Sequence, residues 1–202
     1  MNKYTDRAVI LRQFFDEETH ETIVRFLEDF VPYLPLQSDR HLPDNESKFN
    51  RRFANNLPFF VNIHNQLIDV ASEVFGEKVK PSYSFMSLYD DGGRCPLHID
   101  RPQCRYTIDY LIRQESKEPW PICISKQMND KQVRAVENPH PDDEHKQTII
   151  DSAEWTQVNL QANDAVCYSG TNAWHYRPTA SHGTADLVFW HFVPRKFNGS
   201  LD

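Results

Sequence analysis

His98 and Asp100 stand two residues apart in Leu97-His98-Ile99-Asp100, and Trp174-His175-Tyr176-Arg177 follows far downstream. Residues two apart on a strand point to the same side. An imidazole and a carboxylate would then reach one point, their Cα atoms roughly 6–7 Å apart by strand rise. A histidine from a distant strand would complete a facial set of two nitrogens and one oxygen. Such a set leaves coordination positions open and suits Fe(II) that must also bind a substrate or O₂. The plain alternative is a hydrogen-bonded surface pair, since His-x-Asp is common. Three histidines compete for the distal place. His182 lies in the loop-like Thr179-Ala180-Ser181-His182-Gly183-Thr184, and His191 lies in the apolar run Trp190-His191-Phe192, where it reads as a core or supporting group; His175 is the third.

These groups need strands to hold them, and the pattern supplies strands from Val79 onward. Short β-rich segments with turn signals between them are expected near 82–90, 94–100, 104–113, 120–126, 155–160, 164–169, 173–178 and 185–193. Asp90-Asp91-Gly92-Gly93 is a turn. Two helices precede them. Ile23, Phe26, Leu27, Phe30, Val31 and Leu34 recur at helical spacing over 16–34, after the acidic start Asp16-Glu17-Glu18. Phe60, Ile63, Leu67, Val70, Ala71 and Val74 mark a second helix over 58–75, with Gly76 placed as a C-cap. The polar stretch 35–56 reads as irregular, and the charged 127–153, with Pro139 and Pro141, as an insertion or long loop on the barrel's rim. About eight strands behind helices fit a mainly β fold with flanking helices: a double-stranded β-helix, the jelly-roll or cupin-like barrel, buttressed by its N-terminal part. The β region is too uninterrupted for a parallel α/β sheet. We expect one domain over 1–202, with 1–78 as helical support and 79–197 as the barrel core.

Composition narrows the function classes. A net charge of −7 provides no global field for nucleic acid, which argues against such a partner. Aromatics at 12 % argue against disorder. Cys95, Cys104, Cys123 and Cys167 form no C-x-x-C pair, so they read as buried free thiols rather than a zinc site. The N-terminal residues lack a signal-peptide apolar core, and no apolar run reaches the ~20 residues of a membrane span. A reducing, cytoplasmic setting without membrane contact is the expectation; oligomeric state is not legible.

The run from Leu88 through Asp100, with its tyrosine, glycine turn and His-x-Asp, resembles the 2-oxoglutarate/Fe(II)-dependent oxygenases of the prolyl-hydroxylase-like branch. Cys104-Arg105-Tyr106-Thr107-Ile108-Asp109-Tyr110-Leu111 is similar to the strand that follows there, Gln161 through Gly170 to the approach to the distal histidine, and Asp186 through Phe192 to the closing strand. The resemblance covers roughly 82–195. It implies Fe(II) held by His98, Asp100 and His175, with 2-oxoglutarate and O₂ as cosubstrates and no acid–base pair or nucleophile. It implies a dioxygenase, foremost a hydroxylase of a protein side chain or a small molecule, that couples oxidation to decarboxylation of 2-oxoglutarate to succinate. Tyr89, nine positions before His98, resembles the tyrosine that hydrogen-bonds the cosubstrate. Many members place Arg or Lys nine or ten residues after the distal histidine to grip the far carboxylate; here Thr184 and Ala185 stand there. Arg177, sharing strand parity with His175, is the first substitute, with Arg105 and Arg113 as alternatives and Tyr110 a further lining candidate. The gap also admits a cupin-like metalloenzyme that uses the same site without 2-oxoglutarate, or a non-catalytic metal-binding barrel.

Overall fold

A computed structural model describes residues 8–39, 49–116, 118–180 and 183–201. Eleven strands form two facing sheets. β1 (Val9–Leu11), β2 (Gln37–Ser38), β3 (Arg51–Asn55), β4 (Val79–Tyr89), β6 (Tyr106–Ser116), β9 (Asp164–Tyr168) and β11 (Gly183–Pro194) make a seven-stranded sheet in the order β1-β9-β6-β11-β4-β3-β2. β5 (Cys95–His98), β7 (Ile122–Ser125), β8 (Trp155–Val158) and β10 (His175–Arg177) make a four-stranded sheet in the order β5-β10-β7-β8. All pairings are antiparallel. The eight strands from β4 to β11 cross between the sheets at every step except the β7–β8 hairpin, the pattern of a double-stranded β-helix, as expected.

Period-2 alternation sends the large apolar residues of the longer sheet outward onto the helices. Met86, Leu88, Ile108, Tyr110, Ile112, Val188, Trp190 and Phe192 form one core cluster with Ile23, Leu27, Phe60, Ile63, Ala71 and Phe75. The helices are α1 (Glu17–Asp29), α2 (Pro58–Gln66) and α3 (Ile68–Phe75). Asp16 caps α1 by accepting from Thr19 N at 2.7 Å. The helix expected over 58–75 is two helices that meet at Leu67, where ψ is 0°. Gly76 ends α3 at φ +67°, the left-handed conformation that favours glycine. A second cluster, with Leu111, Trp120, Ile122, Ile124, Val158, Val166 and Leu187, fills the barrel beyond the cavity described below.

Three differences from the sequence reading matter. The stretch 35–56 carries β2 and β3, which extend the longer sheet at one edge, and β1 extends it at the other; 1–78 therefore supplies strands as well as helices. The insertion 127–153 holds α4 (Asp130–Arg134) and α5 (Asp143–Ser152). Each has a legible start: Asn129 and Gln132 form a capping box, and Asp142 accepts from His145 N at 3.0 Å. Finally, β5 stops at His98. Ile99 N donates to Pro139 O at 3.0 Å and Asp100 N to Gly170 O at 3.0 Å, so the chain has left the ladder before Asp100.

Candidate metal centre and its cavity

His98 ends β5 and His175 begins β10, and the two are direct cross-strand partners. Their rings lie 4.2 Å apart. His98 Nδ1 is 2.8 Å from Pro96 O and His175 Nδ1 is 3.0 Å from Ala173 O. A carbonyl only accepts, so each Nδ1 carries a proton and each Nε2 faces inward. Both point at Asp100, whose Oδ1 is 3.4 Å from His98 Nε2 and 3.6 Å from His175 Nε2. Asp100 arrives from its loop rather than along the strand, held by the backbone bond to Gly170. A side chain at Gly170 would collide with Asp100 Oδ2, so the close approach requires glycine there.

The electrostatics of this trio favour a cation at its centre. Burial opposes the ionised form of His98, yet Cys95 and Asp100 hold its pKa well above the ordinary histidine value. Burial likewise opposes ionised Asp100, yet His175 and then His98 hold its carboxyl well below the usual range. Asp100 Oδ2 is buried with no hydrogen-bond partner among the described residues. Two imidazole nitrogens, a carboxylate and an orphaned buried oxygen fit a divalent metal of Fe(II) type. A second group, Asp100 with Cys104 and His191, is equally compact. It fits less well: burial pushes the Cys104 thiol up to about 12 and pulls His191 down to about 4, and a protonated thiol is a poor ligand. His191 is buried behind the trio, with Nδ1 3.0 Å from Thr107 Oγ1, as a supporting group would be. His182 lies outside the described residues.

The trio opens into a cavity of about 270 Å³ between the sheets. Tyr83, Phe85, Tyr89, Asp109, Phe189 and His191 line it from the longer sheet, and Ile122, Tyr176 and Arg177 from the shorter. His140 of the insertion reaches its rim and stacks on His98 at 5.7 Å and 10°.

The expected cosubstrate residues divide. Tyr89 lies deep in the cavity; burial pushes its hydroxyl up to about 12 against the pull of Arg51, so it is a neutral donor at ordinary pH. Arg177 faces inward as its parity requires, but it is already engaged. Its Nη2 donates to Asp109 Oδ2 at 2.7 Å and its Nη1 to Trp120 O at 3.1 Å. Arg105 is corrected out of the cavity: it follows a short 3₁₀ turn rather than starting a strand, and it donates to Thr171 Oγ1 at 2.9 Å and to Asn172. Tyr110 is also corrected. It faces the helical layer, with its hydroxyl 2.6 Å from His20 Nδ1, because alternation on β6 turns Asp109 inward and Tyr110 outward. Arg113 fails for a subtler reason. A bulge opposite Asp186 and Leu187 flips its parity, and it pairs with Asp186 at 2.6 Å and Glu28 at 3.0 Å.

Asp109 and Arg51 are among the cavity residues that escaped the sequence reading. Asp109 was legible only as part of a strand, although its place two residues after Thr107 is on the inward set. Arg51 lay in the stretch read as irregular, and the alternation of Arg51, Phe53 and Asn55 was too short to reveal β3.

No family model matches this chain, and no curated protein matches it. Solved structures do share its architecture. The non-heme alpha-ketoglutarate-dependent carbocyclase SnoK from nogalamycin biosynthesis superposes with a TM-score of 0.72 at 10% identity, covering 94% of this chain and 80% of that one. HygX from Streptomyces hygroscopicus, solved with nickel and 2-oxoglutarate bound, gives 0.64 at 13% identity over 96% and 85%. A Pseudomonas putida prolyl-4-hydroxylase gives 0.62 at 12% identity over 95% and 94%. At such identities the likeness establishes the double-stranded β-helix fold and nothing finer.

Proposed function

We propose that this chain is an Fe(II)- and 2-oxoglutarate-dependent dioxygenase, foremost a hydroxylase of a protein side chain or a small molecule. The observation that carries the reading is the convergence of His98 Nε2, His175 Nε2 and Asp100 Oδ1 on a cavity between the two sheets, in the fold that SnoK, HygX and the prolyl-4-hydroxylase share. His98, Asp100 and His175 hold the metal. Held there, Fe(II) would activate O₂, the oxidant, for substrate oxidation coupled to conversion of 2-oxoglutarate to succinate and CO₂. The chain's own residues orient and shield. Pro96 O and Ala173 O fix the two imidazole tautomers. Asp109 and Arg177 form a buried pair that keeps the cavity wall rigid. Tyr83, Phe85 and Phe189 set an aromatic wall along the cavity. Four free thiols support a reducing compartment, and among the described residues no helix is long and apolar enough to cross a membrane.

Purified protein loaded with Fe(II) should convert 2-oxoglutarate to succinate in an O₂-dependent reaction, and His175→Ala should abolish it. Metal binding without any 2-oxoglutarate turnover, across peptide and small-molecule substrate panels, would remove this reading.

A further inference from the structure

The cavity has two chemically different ends. One is the metal trio. At the other, Tyr89 ends β4, and the ladder sets Ala185 of β11 on one side of it and Arg51 of β3 on the other. Ala185 contributes only a methyl group beside Tyr89. Arg51 reaches into that region. Its Nη1 is 3.1 Å from Tyr89 Oη and 3.4 Å from Ser87 Oγ. Its guanidinium carbon lies 3.8 Å from the centre of the Phe49 ring and 4.8 Å from that of Phe85, so aromatic faces hold the fork in place. On its other edge, Nε stands 3.5 Å from Asp39 Oδ2.

Three arginines line the cavity: Arg101 stacks over the Tyr83 ring at 4.6 Å, and Arg51 and Arg177 differ in the charge they have to offer. The Arg177 cation is matched by Asp109 at 2.7 Å, with both side chains almost wholly buried. Drawing Arg177 away would strand a buried carboxylate, which is costly. The cavity edge of Arg51 meets hydroxyl groups instead. The Tyr89 hydroxyl accepts from Arg51 and keeps its own proton to donate, while Ser87 hydrogen-bonds Tyr89. An anion arriving beside Tyr89 meets a planar fork and the Tyr89 O–H together, an arrangement suited to a carboxylate.

We propose that Arg51, with the hydroxyl group of Tyr89, forms the subsite for the far carboxylate of a dicarboxylic 2-oxo acid whose other end lies at His98, Asp100 and His175. Arg177 is then a positioning residue for Asp109 rather than the anchor. The assignment rests on the functional reading above and makes the chain selective for a diacid over a monoacid.

The test is calorimetry on the full chain loaded with Mn(II), titrated with 2-oxoglutarate and with 2-oxopentanoate, which has the same length but lacks the far carboxylate. Wild type should prefer the diacid by at least about tenfold, the scale of one well-paired charge-assisted contact. In Arg51→Met that preference should shrink to within about threefold, with Mn(II) affinity and 2-oxopentanoate binding unchanged. Arg51→Lys, a milder change should the methionine variant not fold, should retain an intermediate preference because it keeps charge without the fork. The double variant Arg177→Met with Asp109→Asn, which removes the buried pair together, should keep the full preference. Undiminished diacid preference in Arg51→Met or Arg51→Lys, or its loss in the double variant, overturns the assignment while leaving the functional reading intact. Failure of wild type to bind 2-oxoglutarate at all would overturn both.

Discussion

Ile108, Tyr110 and Trp190 on one face of the seven-stranded sheet, and Thr107, Asp109 and His191 on the other, alternate along the same two strands. The outer set packs against α1, α2 and α3 and is almost entirely apolar. The inner set is polar, buried and paired one to one: Thr107 with His191, Asp109 with Arg177. One face supplies stability through burial, and the other holds groups that no stable core would choose. The pairing on the inner face has a cost, since Asp109 Oδ1 and Asp100 Oδ2 remain without hydrogen-bond partners among the described residues. A buried, under-satisfied oxygen is tolerated where chemistry uses it.

Breaking the two faces separately should give separable losses. The largest belongs to the inner face. His98→Ala, Asp100→Ala and His175→Ala should each lower Mn(II) or Fe(II) affinity by more than the roughly 10–100-fold that follows loss of a mere supporting hydrogen bond. Calorimetry on the purified variants measures this, and full metal occupancy in His175→Ala would mean another histidine is the distal ligand. Their melting temperatures without metal should stay near that of wild type.

The reverse pattern is expected from the outer face. Trp190 is fully buried, and its Nε1 donates to Phe60 O at 3.1 Å. Trp190→Ala should cost about 3–5 kcal/mol in urea unfolding. At concentrations and temperatures where the variant is folded, its metal affinity should match wild type. A large loss of metal binding in the folded variant would show that the faces are coupled.

A pH experiment sharpens the comparison. His64 sits on the helical side, its ring 4.6 Å from that of Phe192. Burial, then the proximity of His191, pulls its pKa down to about 3 from an ordinary 6.5. The folded state therefore binds this proton more weakly than the unfolded state does. Stability contributed by neutral His64 is complete above about pH 6.5 and is lost as pH falls toward 3, with a slope of at most about 1.4 kcal/mol per pH unit. His64→Phe should flatten that part of the stability curve relative to wild type. Equal slopes in the two proteins would show that His64 is more hydrated than its burial implies.

The smallest effect tests a residue expected at the site that the structure puts elsewhere. Tyr110 bonds His20 and Asn163 on the outer face. Tyr110→Phe should cost only about 1 kcal/mol of stability, the net value of a hydrogen bond, and should not alter 2-oxoglutarate affinity. A tenfold weaker affinity would return Tyr110 to the cosubstrate site.

The eight-stranded barrel, the start of α1 after Asp16 and the C-cap at Gly76 were legible, because each rests on local spacing and on residue types with strong backbone preferences, whereas α1 ends at Asp29 rather than near 34. The pairing of His98, Asp100 and His175 was legible as a set of candidate ligands through motif order. β1, β2 and β3 were not, because three short strands at sheet edges are specified by the neighbours they pair with rather than by their own pattern. Arg51 was lost with them. Arg113 was misplaced because a single bulge on β6 reverses which face its side chain reaches, and nothing in the residues around Ile112 announces it.

Sequence by itself determined the alternation of apolar and polar residues that makes a two-faced sheet, and the types of ligand available to a metal. Only the tertiary structure decided how those groups meet. Asp100 reaches the histidines through a loop bond to Gly170 rather than along a strand, and Arg177 is matched by Asp109 across the barrel. Arg51 enters from a strand outside the eight-stranded core. Each of these depends on contacts between residues tens of positions apart, and short-range periodicity carries no record of such contacts.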